Sequence, residues 1–417
     1  MPTLDLPQRI RQSYEELPYP GIKSQRLRPV WQIAPLEWIR AMCPPSEKGI
    51  QRILVAGCGT GNEAFAIRKR MPQAEIVAVD FSGRSIELAR ELGRRFAGDH
   101  RIEFRCVDLT APDLEGTLGG KFDFICCHGV LSYIPKPETA LQNLARLLAA
   151  DGGLYLGVNG IPHYSELWRP VLREFGFNPE SFTDGKRLRE VLKLCDALAG
   201  YTGAPIATEA PEYLASDLFG AMIASHPLGQ WAALAKRCGL HVCGSYQAHR
   251  TLRAAFNSGF YHYLLPRSRA EAHLIAEQIV PSSFHMLVFS LAAPARVPWK
   301  NQAQLLSCRV NLTKLYTVDS CKPTRTRSRL THLHLRSEPT NTVVDLRVPT
   351  WVPLFLRETN SGRPVREILG PRSARISASS LQKHLYLLEL LAVINLSARE
   401  PSRSGAPNAF RRKVPAL

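Results

Sequence analysis

Ile53-Leu54-Val55-Ala56-Gly57-Cys58-Gly59-Thr60-Gly61-Asn62 is an apolar run that enters a turn whose glycines alternate. Four consecutive apolar residues with a Val and an Ile among them describe a strand covered on both faces. A second such run, Ile76-Val77-Ala78-Val79, ends in Asp80, nineteen residues after Gly61. Strand, tight turn, helix and a second strand tipped with a carboxylate form one βαβ half of a nucleotide-binding sheet. Glycines let the turn adopt conformations that a Cβ forbids and let backbone approach a ligand closely. The carboxylate of Asp80 is placed to accept hydrogen bonds from both hydroxyls of a ribose.

The spacing separates this turn from the dinucleotide fingerprint. G-x-G-x-x-G requires a glycine at position 62, where the chain has Asn62. The alternating triplet Gly57, Gly59, Gly61 suits a ligand without a pyrophosphate, its amino-acid end lying along the turn. With these residues the chain resembles the class I S-adenosylmethionine-dependent methyltransferases, whose first motif has the same Gly-Cys-Gly-Thr-Gly. Arg101–Asp108 is similar to their third strand, Phe122–Gly129 to the fourth, and Gly152–Asn159, after a helix over Pro137–Leu148, to the fifth. The resemblance implies a Rossmann-like seven-stranded sheet with helices on both faces, S-adenosylmethionine as cofactor, and contacts to it from Gly57, Cys58, Gly59, Thr60, Gly61, Asp80, Phe81, Asp108, Leu109 and Cys127. One departure stands out. The family carries an acid two residues before the first glycine, where it helps hold the cofactor's amino group, and this chain has Val55.

Methyl transfer from a sulfonium is an in-line displacement that needs neither a metal nor a covalent enzyme intermediate. Orientation alone supplies about 7–11 kcal/mol of such a barrier, and a base is required only for a protonated nucleophile. His128, ending the fourth strand, is the best-placed titratable group, followed by Tyr133 and His163. Tyr14 and Tyr19 lie in a preface expected to drape over the cofactor opening, where aromatic faces favour a positive sulfonium. After strand four the chain reads His128-Gly129-Val130-Leu131-Ser132-Tyr133. That is neither the Asp/Asn-Pro-Pro-aromatic turn of base-amino methylation nor the Pro-Cys of ring-carbon methylation. No metal site is expected.

Composition sets the outer limits. The 417 residues, 45% hydrophobic and 21% charged, describe a globular chain of two or three domains. Ten cysteines form no C-x-x-C pair, and no N-terminal apolar segment or bilayer-length run occurs, so reduced thiols and a cytoplasmic location are expected. The formal charge of +17 is lopsided. Residues 295–417 hold 21 Lys or Arg against 7 Asp or Glu, and the remainder is nearly neutral.

The expected organisation is a lid segment over 1–45, a methyltransferase domain over 46–294 with a substrate-cap insertion at 160–226, and a basic linker over 295–345. A winged-helix-like accessory module over 346–398 and a disordered tail over 399–417 follow. The module more loosely resembles the regulatory domain of some bacterial methyltransferases, protein-lysine methylating ones included. Within 46–294, strands at Leu240–Tyr246 and Ser283–Ala292 complete the sheet, the last antiparallel. The acceptor is a small molecule or a protein side chain. Two competing functions are a nucleic-acid-associated protein using the basic C-terminal region and a sensor that binds the cofactor without catalysis.

Overall fold

The computed structural model describes residues 5–21, 41–43, 50–96, 102–177, 185–199, 211–245, 252, 259–265, 267–294, 296–313, 315–323, 330–337, 343–359 and 362–398. Most of the expected lid segment over 1–45 and the expected tail over 399–417 lie outside them.

Helix α1 (Leu6–Glu16) precedes the sheet. Then come β1 (Arg52–Ala56), α2 (Asn62–Arg70), β2 (Glu75–Asp80), α3 (Gly83–Phe96), β3 (Ile102–Cys106), α4 (Leu114–Leu118), β4 (Phe122–His128), α5 (Pro137–Leu147) and β5 (Leu148–Asn159). The insertion after β5 carries α6 (Tyr164–Glu174), α7 (Gly185–Ala199) and α8 (Pro211–Asp217). Helix α9 (Leu228–Arg237), β6 (His241–Ser245), α10 (Tyr261–Leu264), α11 (Arg269–Ile279) and β7 (Phe284–Ser290) finish this part.

The seven strands lie in the order β3-β2-β1-β4-β5-β7-β6. Five run parallel, and β7 is antiparallel to both β5 and β6. The continuous apolar runs have the cause expected of them, since both faces are covered. Val55, Ala78, Cys126 and Tyr155 pack on one face, Leu54, Val77, Cys127 and Leu156 on the other. The adjacent Cys126 and Cys127 therefore belong to different cores, as strand alternation requires. Register decides where the site falls. Ala56 pairs with Val79 and Val55 with Cys126, so Gly57, Asp80 and His128 all emerge at the carboxyl edge of the sheet.

The expected basic linker over 295–345 is corrected by the structure. It holds α12 (Gln302–Ser307), β8 (Arg309–Leu312), β9 (Tyr316–Pro323) and β10 (Leu330–Ser337), and β11 (Val343–Pro349) begins there. Strands β11-β10-β9 form an antiparallel sheet. Along β10, Thr331, Leu333, Leu335 and Ser337 are buried while His332, His334 and Arg336 face outward. The Arg and His content that suggests a loop is the wet face of a half-buried sheet. Helix α13 (Trp351–Glu358), β12 (Arg363–Pro364), α14 (Val365–Leu369), α15 (Ala378–Leu390) and β13 (Ile394–Ser397) follow, with β12-β8-β13 as a third sheet. Among the described residues no helix is long and apolar enough to cross a membrane.

This C-terminal part packs on α10 and α11. Leu264, Ala272 and Ala276 share one apolar core with Leu385, Leu388 and Ile394. Polar groups fix the contact: Arg269 donates to the Glu389 carboxylate at 2.8 Å and, through Nε, to the Glu389 carbonyl at 2.8 Å. It also donates to Asn395 Oδ1 at 2.7 Å, and Tyr386 donates to the Leu264 carbonyl at 2.8 Å. The two charged side chains are only 7% and 14% exposed, so removing one leaves the other uncompensated in the interface. Arg269→Ala is expected to cost about 3–5 kcal/mol of unfolding free energy. Arg269→Met combined with Glu389→Leu is expected to recover most of it, as read by denaturant titration.

Candidate functional site

The glycine turn is held from two sides. The N–H groups of Gly57 and Cys58 donate to the Val79 carbonyl at 2.8 and 2.9 Å, and Gly59 N–H donates to Asp80 Oδ2 at 2.9 Å. Gly57, Gly59 and Gly61 all have positive φ, of 72°, 51° and 94°, which is the conformation that excludes most side chains. At Gly59 a Cβ would also come within 2.1 Å of the Tyr19 carbonyl oxygen. That proximity exists because the N-terminal segment crosses the turn. Thr60 donates from its N–H to Tyr19 O at 3.1 Å and from Oγ1 to Pro20 O at 2.8 Å. Glu15 accepts from Gly83 N–H and Arg84 N–H at 2.8 and 3.0 Å, capping α3.

Asp80 is 8% exposed and takes a second bond, from Ser82 N–H, at 3.0 Å. Burial pushes its carboxyl up, against the pull of these N–H donors. A carboxylate has about four acceptor positions, and two are used inside the protein. The side chain lines a cavity of about 1160 Å³ above the carboxyl edge of the sheet. That volume exceeds the roughly 300–1,000 Å³ of ordinary small-ligand clefts, leaving room for two reactants. Asp108 stands at the same edge, its Oδ1 accepting from Thr110 N–H and Oγ1 at 2.8 and 2.7 Å. Gly57, Cys58, Gly59, Phe81 and Leu109 also line the cavity. These residues fit an adenosyl ligand whose ribose meets Asp80 and whose base lies toward Asp108.

Three residues expected at the cofactor do not line the cavity. Thr60 points to the N-terminal segment, Gly61 starts α2 against Phe65, and Cys127 is fully buried in the core on the far face of β4. Their neighbours in sequence touch the cavity. At Cys127 the cause is strand alternation, which sends its side chain to the opposite face from His128.

The other wall belongs to β4, β5 and the insertion. His128 lines it, with Nδ1 at 2.7 Å from the Tyr155 hydroxyl and its ring packed 5.0 Å from Phe284. Burial lowers its pKa to about 4. Tyr133 donates to Asp217 Oδ1 at 2.7 Å and lies beside Asn159, whose Nδ2 donates back at 3.2 Å. Burial and Asp217 hold this phenol well above its usual range. Ser216 donates to Asp217 at 3.2 Å and meets the Tyr14 hydroxyl at 3.1 Å. His163 caps α6 through Ser165 and also lines the cavity, its pKa lowered to about 4 by burial.

Asn159, Asp217, Ser216, Tyr164, Tyr213 and Glu63 were not singled out by the sequence pattern, yet all line the same cavity. Among the described residues no group of three or more His, Cys, Asp or Glu is arranged to hold a metal ion.

Two measurements test this geometry. Asp80→Asn is expected to bind S-adenosylmethionine about 10- to 100-fold more weakly by calorimetry, as one charge-assisted bond is lost; unchanged affinity would remove Asp80 from the ribose. The second concerns pH. A histidine buried neutral binds fewer protons folded than unfolded between its folded pKa, about 4 for His128, and the usual value near 6.5. Stability therefore falls as pH drops through that window, by at most about 1.4 kcal/mol per pH unit for each such group. His128→Asn is expected to flatten the stability–pH slope between pH 6.5 and 4 and leave it unchanged above pH 7.

Residues 54–154 match the family model described as "Methyltransferase domain". Protein RP028 of Rickettsia prowazekii is 30% identical over 173 residues, which cover 41% of this chain and 66% of that one. The malonyl-[acyl-carrier protein] O-methyltransferase of Acetivibrio thermocellus is 29% identical over 171 residues, covering 39% and 57%. The chain thus spans less than two thirds of the length of these curated relatives. In three dimensions it is similar to PKMT2 from Rickettsia typhi in complex with AdoHcy, with a TM-score of 0.53 at 16% identity over 89% of this chain and 76% of that one. The family match begins in β1 and ends in β5, the strands that raise the glycine turn, Asp80 and His128. On that ground residues 54–154 form a methyltransferase domain, similar to those of the class I S-adenosylmethionine-dependent methyltransferases.

Proposed function

We propose that the chain transfers a methyl group from S-adenosylmethionine to an acceptor bearing an N–H or O–H, on a small molecule or a protein side chain. The observation that carries this is the sharing of one cavity by two unlike walls. Asp80, Asp108 and the glycine turn form an adenosyl cradle, and Tyr133, Asp217 and Asn159 form a polar wall beyond it. The O-methyltransferase among the relatives supports transfer to oxygen, and the N–H case rests on the carboxylate of Asp217.

The cofactor supplies an electrophilic methyl carbon on a sulfonium. The protein's part is aim, proton handling and exclusion of water. Helices α6 and α8 of the insertion, with α1 from the front, wall the cavity and form the substrate cap and lid. Tyr133 keeps its proton and donates to Asp217, which holds this carboxylate in place on the cavity wall facing the acceptor. His128 stays neutral across the physiological range and with its low pKa is a weak base. Its part is to position the acceptor from the end of β4. Arg336, Arg363 and Arg372 of the basic region are each paired with an acid, which leaves less free charge for phosphate than composition suggests.

Incubation with methyl-labelled donor and a cell extract, separated into large and small fractions, is expected to label one of them. Tyr133→Phe should lower turnover about 10- to 100-fold while cofactor affinity stays within about twofold. Full turnover in that variant would remove the Tyr133–Asp217 pair from the reaction, and absence of label from both fractions would contradict the proposal.

A further inference from the structure

We infer that Glu63 binds the α-ammonium of the cofactor's methionine portion, in place of the acid that Val55 lacks on β1. This rests on the proposed occupancy of the cavity by S-adenosylmethionine.

Glu63 is the second residue of α2, directly after the glycine turn, and it lines the cavity with Gly57 and Asn62. Its carboxyl is half-buried and lies beside the Cys126 thiol of β4. Val55 is 1% exposed, in the apolar core and in register with Cys126 of β4. An acid at position 55 and one at position 63 would serve the same corner from opposite ends of the turn.

Direction along the sheet decides which part of the ligand meets Glu63. Asp80 and Asp108 stand at the ends of β2 and β3, so the nucleoside lies on that side. Strand order runs β3-β2-β1-β4-β5. The remainder of the ligand therefore extends over β1 toward β4 and β5, where Glu63 sits. The amino-acid end carries an ammonium, and a desolvated carboxyl whose neighbours are neutral is its complement.

Burial raises the Glu63 pKa to about 7. The groups beside it are Cys126 and Cys127 from β4 and Tyr155 from β5, and His128 and Asp80 line the same cavity. Burial pushes both thiols and the phenol up and lowers His128 to about 4, so all four stay neutral near pH 7. Burial also raises Asp80, against the backbone N–H donors of Ser82 and Gly59. An arriving ammonium favours the ionised carboxyl, so binding releases a proton from Glu63 and affinity falls as pH drops below about 7. Above about 7.7 the ligand's own α-amino group begins to lose its proton, which bounds the window on the other side.

The test is calorimetry on the full chain with three ligands. S-adenosylmethionine and S-adenosylhomocysteine carry the ammonium; 5′-methylthioadenosine lacks the amino-acid end. Glu63→Gln is expected to weaken the first two about 10- to 100-fold and methylthioadenosine less than about twofold, with the affinity loss below pH 7 abolished. Glu63→Asp, which keeps the charge but shortens the reach, should fall between. Equal weakening of all three ligands, or of none, overturns the assignment to the ammonium. Failure of the wild-type chain to bind any of them would instead overturn the cofactor cavity itself. That leaves the two failures distinguishable.

Discussion

The bond from Gly59 N–H to the Asp80 carboxylate carries the site. It joins the turn after β1 to the end of β2, and with the Ser82 N–H bond it sets the carboxylate's orientation before any ligand arrives. The turn can be there only because three glycines take positive φ, and one of them also lies against the N-terminal segment where a side chain would collide. The covalent order of the chain then does the rest. Parallel register delivers Asp80, Asp108 and His128 to the same edge, and residues of α1 and of the insertion line the cavity above it. A preorganised carboxylate needs no rearrangement on binding, and preorganisation of this kind turns contacts into affinity.

The two walls of the cavity differ in how they are built. The side with Asp80 and Asp108 consists of backbone and short side chains at strand ends. The far side depends on long-range side-chain contacts, such as Tyr133 with Asp217 and Tyr14 with Ser216, which join segments 84 and 202 residues apart. One wall is thus local in sequence and the other is assembled only by the complete fold.

That division explains what could be read from the sequence. Strand runs, the glycine spacing and the acid after Val79 are local signals, and the seven-stranded sheet with its antiparallel last member follows from them. Asp217, Ser216 and Tyr213 carry no local signal, because a short helix in an insertion looks like any other. Glu63 was hidden differently. It follows the glycine motif by two residues and reads as a favourable first-turn acid of a helix, which it also is. Cys127 was misplaced by one position, since alternation sends it to the far core while its neighbour His128 reaches the cavity. The basic stretch over 295–345 was read by composition alone, whereas the period-two burial of β10 was the better signal.

The most direct test of the account is a crystal structure of the full chain with S-adenosylhomocysteine. The account predicts the ribose hydroxyls within hydrogen-bond distance of Asp80, about 2.5–3.0 Å, with the base toward Asp108 and the amino-acid end along Gly57–Gly61. Ligand density in another place, or a ribose turned away from Asp80 in the filled cavity, would contradict it.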